Sequence, residues 1–319
     1  MRKLQASGLA LAAVIGLLAA MAYGAGPVGP QRAKPPKWPK NVSDVFFADA
    51  REKLVGTRPD EGSRAAAATA VAGPAGGPAA PAGGGGGSFG WSKLISPETI
   101  EDEIKTQQGK ISETVQAINA FKGGGFKECR TRFSVLATMF GIIAEYDGEV
   151  RWQKQSSGMR DLIGRVGHNC KVATDASYNE SKARKDDLEE LVRGGGKEVP
   201  AGEAKAVWGK VTDRPPLMVR LEQAQQQGIA VFTANPGDFT KNADALLHEA
   251  QVLAAIAEII QREGFEYFDD QTYLGFASKM RQGGLDVADA VKQKNYEAAR
   301  KASGDIDKAC SSCHEGYRS

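Results

Sequence analysis

The segment VLATMFGII at 135–143 returns as VLAAIAEII at 252–260, with five identities in nine positions at an offset of 117. The same offset pairs Ile100 with Leu217 and Ile104 with Leu221, and an offset of 118 pairs Tyr178 with Tyr296. Self-similarity at a fixed period marks two copies of one supersecondary unit. The pattern inside each copy is helical. Phe133, Leu136, Phe140 and Ile143 step by 3, 4 and 3; Leu246, Ala250, Leu253, Ala257 and Ile260 step by 4, 3, 4 and 3. Such spacing places one apolar stripe on each helix, the stripe that bundles bury. No segment reads as a strand. The expected fold class is therefore all-α: two tandem antiparallel four-helix bundles, at about 92–197 and 200–319. Gly123–Gly125, Gly148, Gly194–Gly196, Pro215-Pro216, Pro236-Gly237 and Gly283-Gly284 read as breaks between helices. In the second unit the helices fall near 215–231 (A), 240–263 (B), 271–293 (C) and 295–317 (D).

The chain before this region reads differently. Arg2 and Lys3 precede an uncharged apolar run from Gly8 to Tyr23, followed by small residues that allow cleavage after Ala22 or Gly24. This is the layout of an export signal over 1–24, removed or kept as a membrane anchor through residues 8–23. Either form puts the rest of the chain outside the cytoplasmic membrane, in a periplasm. Residues 25–90 form a linker region rich in Gly, Ala and Pro, with one short helix at about 43–55 capped by Ser43. The 319 residues carry 41 Lys+Arg and 39 Asp+Glu; loss of Arg2 and Lys3 leaves 39 of each. A neutral chain has no electrostatic footprint for nucleic acid.

Cys310-Ser311-Ser312-Cys313-His314 is a C-x-x-C-H sequence. On a helix its two thiols sit on adjacent turns and can add to the two vinyl groups of a haem, and the histidine then meets the iron. A thioredoxin-like pair needs a strand before it and a helix after it, whereas helix precedes this one and six residues follow Cys313. A zinc site needs two further ligands, and the other Cys and His are distant in sequence.

CSSCHEGYR at the end of a helical unit resembles the C-terminus of the cytochrome c′ family, and LDVADAVKQKNYEAARKASGDIDKAC resembles the family's link from helix C to helix D. The resemblance covers about 215–319. It implies a four-helix bundle with one covalent haem c on its last helix, joined through Cys310 and Cys313, with His314 as axial iron ligand. It also implies a basic residue four places after that histidine, here Arg318. Residues 92–197 share the unit only through the repeat and lack C-x-x-C-H. The resemblance further points to a residue near the start of helix A as the cover of the iron's sixth position. Met218 would ligate the iron there, or Leu217 or Leu221 would leave it covered without a bond.

Antiparallel geometry puts the end of D beside the start of A, the end of B and the start of C. Phe265, Tyr267, Phe268, Tyr273 and Phe276 cluster there; they suit the rim of a flat apolar ring, and equally a plain core and turn. His248 lies near the start of B, too far along the helix for the iron, and His168 belongs to the unit without C-x-x-C-H. Cys129 and Cys170 fall at one level of a helical hairpin centred near Gly148, which predicts a disulfide in an oxidising compartment. No nucleophile with a base and no second metal cluster is visible, so the expectation is not an enzyme but electron transfer with a redox partner protein. The alternatives are a five-coordinate haem protein for NO or CO, and a docking subunit of a larger redox assembly. Higher oligomers are compatible with either.

Overall fold

The computed structural model describes residues 89–195, 198–203 and 205–318. The export signal at 1–24 and the helix at 43–55 lie outside the described residues. Among those described there is no strand, and no helix long and apolar enough to cross a membrane. The fold is all-α.

The first half begins with a 3-10 turn at Trp91–Lys93 and the helix α1 (Pro97–Thr114). Pro97 sits at the first helical position, and the Ser96 hydroxyl accepts from the Thr99 N–H, so a donor the helix leaves open is satisfied at once. A kinked stretch at Phe121–Gly125 leads into α2 (Phe126–Ala144), followed by α3 (Ser156–Asn169) and α4 (Asp175–Val192). The short α5 (Trp208–Val211) leads to the second half. There α6 (Arg214–Glu222) continues as a wider turn to Phe232, and α7 (Pro236–Lys241), α8 (Ala243–Ile259), α9 (Gln271–Lys292) and α10 (Tyr296–Tyr317) follow. Helices A to D of the sequence reading correspond to α6 with its extension, α8, α9 and α10.

Packing follows the same order in both halves. α1 lies on α2, α2 on α3, α3 on α4, and α4 returns to α1. Likewise α8 lies on α6 and its extension, α9 on α8, α10 on α9, and α10 returns to the extension of α6. Corresponding contacts recur one period apart. The Phe121 and Tyr178 rings meet at 5.5 Å, and Phe239 and Tyr296, each 118 residues later, meet at 5.9 Å. Ser92 bonds Asp147 at 2.8 and 2.6 Å, and Gly209 packs against Gly264, each 117 residues later.

One expectation fails here. Gly283-Gly284 does not break a helix; both residues lie inside the continuous α9. A Cβ on Gly283 would run into Ile306 of α10, and one on Gly284 into the Ala250 carbonyl of α8. The glycines serve close approach of three helices rather than a turn.

Candidate functional site

The last helix, α10, is capped by Asn295, whose side chain accepts from the Ala298 N–H at 3.1 Å. Its buried face runs Ala299, Ala302, Ile306 and Ala309. Cys310, Cys313 and Tyr317 continue that stripe as half-buried residues packed against the core, while His314 is exposed. The two thiols thus share one face a turn apart, with the imidazole next to them at the rim. Burial pushes the Cys310 thiol up to about 11, helped by Asp307, and it also raises Cys313 while the Arg214 charge works the other way. Both therefore stand as protonated thiols at neutral pH.

Three other elements meet this end of α10. From the start of α9, the Tyr273 and Phe276 rings lie 5.5 and 6.5 Å from the Tyr317 ring. From the loop between α8 and α9, the Tyr267 ring lies 5.0 Å from it. Asp270 ties the group together: one carboxylate oxygen accepts from the Thr272 and Tyr273 N–H groups at the start of α9, and the other accepts from the Tyr317 hydroxyl at 2.9 Å. From the start of α6, the Arg214 guanidinium stacks 5.0 Å over Tyr267 and 5.8 Å over Tyr273 and pairs with Glu266 at 2.7 Å. Such stacking places a cation on the negative faces of two rings. Met280, two turns further along α9, puts its sulfur 3.8 Å from the Cys310 sulfur.

Tyr273 is 2% exposed, and its hydroxyl makes no hydrogen bond of normal geometry. Burial pushes that hydroxyl up, and the neighbouring Arg214 opposes the shift. The polar group beside this hydroxyl is the Arg214 side chain, whose hydrogen bonding and charge both act on it.

The remaining sequence-derived candidates divide. Phe265 is buried but belongs to no ring contact in this cluster, and Phe268 is 42% exposed. Arg318 follows the end of α10 and is exposed. Leu217 and Leu221 are buried in the core, whereas Met218 is half-buried at its edge. Asp213 holds the capping position before α6, but its side chain does not cap; it turns to Arg130 at 2.9 Å and Lys171 at 2.8 Å. His248 is bound to Glu103 at 2.9 Å, and His168 to the Lys210 carbonyl at 3.1 Å. Cys129 and Cys170 are fully buried free thiols; burial raises both, and Cys170 is near enough to add to the rise at Cys129.

The sequence pattern does not single out Arg214 or Met280 as neighbours of the thiols. Tyr317 is within its reach, because it lies seven residues after Cys310 and hence on the same helical face.

Among the described residues, no group of three or more His, Cys, Asp or Glu converges to hold a bare metal ion. The donors fit a different chemistry: two thiols for thioether bonds, one imidazole for a single axial bond, and flat rings beside them. A haem brings four of its iron's ligands itself and needs no more than this from the chain. No protein-family model, curated protein or solved structure matches this chain.

Proposed function

We propose that this chain is an exported c-type cytochrome of two tandem antiparallel four-helix bundles, the second carrying one covalent haem. In this reading Cys310 and Cys313 hold the haem, His314 ligates its iron, and the protein passes electrons to a partner protein in the periplasm. The observation that carries the reading is the C-x-x-C-H sequence on one face of α10, at the end where α6, α9 and the α8–α9 loop bring their rings and Arg214. When bound, the haem supplies a reversible one-electron couple. The protein's own part is structural and electrostatic. Tyr267, Phe276 and Tyr317 present apolar faces that keep water off the site. Arg214 keeps a positive charge near Cys313, and the Tyr273 hydroxyl is a donor ready for a polar edge of the group. In an oxidising compartment Cys129 and Cys170 would join as the disulfide expected for the first bundle.

A second reading, gas binding at a five-coordinate iron, is favoured by one observation: Leu217 is fully buried while Met218 sits at the edge of the core. Visible spectra of the oxidised, reduced and CO-treated protein separate the two. Methionine ligation gives a low-spin ferric spectrum with a weak sulfur–iron band toward the red, and no CO complex; Met218→Leu then abolishes the band and creates CO binding. A high-spin ferric spectrum with CO binding in the unaltered protein selects the gas-binding reading. A protein exported from a host that attaches haem c, yet lacking a pyridine haemochrome, would overturn both.

A further inference from the structure

Where the two halves meet, positions one period apart touch each other. Trp91 and Trp208 are both buried, with ring centroids 5.7 Å apart. Glu103 and Arg220 form a two-pronged ion pair, Nε to Oε1 at 2.7 Å and Nη2 to Oε2 at 3.0 Å. Each pair is separated by 117 residues, the offset at which the sequence repeats.

The contacts around them come in crossed sets. α1 packs on α8, and α2 packs on α6, its counterpart arrangement. The Ser96 N–H, before α1, donates to Gln251 of α8 at 3.0 Å. Asp213 lies 117 positions later, before α6, and accepts from Arg130 of α2 at 2.9 Å. A body placed beside its copy by translation presents two different surfaces at the junction. Only a twofold relation sets a position against its own equivalent, and only beside the axis.

We infer that residues 92–197 are a built-in partner for residues 200–319, mated across a pseudo-twofold axis that passes between Trp91 and Trp208 and between Glu103 and Arg220. The charges on the axis select this pairing. Two second halves on the same axis would bury Arg220 against Arg220, and two first halves Glu103 against Glu103. With side chains 1% and 5% exposed, neither clash could be relieved by water. The mixed pairing instead closes a network: Glu249 accepts from Arg220 at 2.6 Å and His248 lies 2.9 Å from Glu103. Burial pushes the Glu103 carboxyl up, but Arg220 and His248 prevail and hold it far below the usual range. The half without C-x-x-C-H thereby has a task, to cover the α6 and α8 face of the other half. This inference does not depend on the haem.

The test cuts the connection and asks whether the mating survives. A protease site inserted after Gly194, where an added Cβ meets no atom within 4 Å, allows the folded full-length protein to be nicked. The nicked protein should remain one particle with the mass of the uncut chain in size-exclusion light scattering. In Glu103→Arg, the nicked halves should separate. Glu103→Gln, a milder change, should raise the dissociation constant between the halves about 30-fold or more, and it carries the test if the arginine variant does not fold. Separation of the nicked unaltered halves, recovery of the second half paired with itself, or a Glu103→Gln protein that holds as tightly as the original would overturn the inference.

Discussion

The two halves end their last helices in different ways. At the end of α4 the Trp152 indole is 8% exposed and donates its N–H to the Leu191 carbonyl at 3.2 Å, while Arg151 donates to the Val192 carbonyl at 2.9 Å. Carbonyls that a helix leaves open are thus closed by the chain's own side chains. At the end of α10 two thiols and an exposed imidazole stand instead, beside a buried tyrosine hydroxyl whose proton has no acceptor. The loops that do this work correspond: Trp152 and Tyr267 both adopt left-handed backbone, with φ of 65° and 67°, and each precedes the next helix by four residues. One loop aromatic finishes a closed end, and the other lies against Tyr317 at an unfinished one. The same order of helix packing therefore ends once in carbonyls closed by side chains and once in a pair of thiols.

The largest effect should come from the thiols. Cys310→Ala with Cys313→Ala should reduce covalent haem to nothing detectable in the pyridine haemochrome and in the mass of the intact chain, while the first half is untouched. Thioether-linked haem in that double variant would break the comparison, because the two ends would no longer differ in what holds a ligand. Next is the sealed end. Trp152→Ala empties a buried indole site and frees the Leu191 carbonyl, a loss of about 3–5 kcal/mol of stability by urea unfolding. Tyr267→Ala, at the half-buried counterpart, should lose clearly less. Equal losses would mean that both loops only fill space.

How far this could be read in advance differs by feature. Helical steps of 3 and 4 located α8, α9 and α10 to within a few residues at most ends, because each helix hides one broad apolar stripe. The convergence of the start of α6, the α8–α9 loop and the start of α9 on the end of α10 follows from antiparallel order alone. Side-chain direction did not follow. Asp213 stands where a cap belongs, yet two cations on α2 and the turn after α3 draw its carboxylate away. Gly283-Gly284 reads as a break because sequence shows the missing side chains but not the two helices that need their absence. The mating of Glu103 with Arg220 was contained in the offset of 117, but an offset does not say which repeated positions lie on an axis.

The finest distinction between the two ends is a single hydroxyl. At the sealed end the Trp152 N–H has its acceptor, whereas the Tyr273 hydroxyl at the other end is buried without one. An unsatisfied buried hydroxyl costs about 1–3 kcal/mol, so its removal should be favourable wherever no ligand supplies a partner. Tyr273→Phe should therefore stabilise the haem-free protein by about 1 kcal/mol in urea unfolding. In haem-loaded protein the same change should give no such gain, because the hydroxyl would then have a polar group to meet. Arg214 sharpens the reading, since its guanidinium is the charged group that already acts on this hydroxyl. If Tyr273→Phe destabilises the haem-free protein, Arg214 is its true partner, and the end of α10 is closed by its own residues as fully as the end of α4.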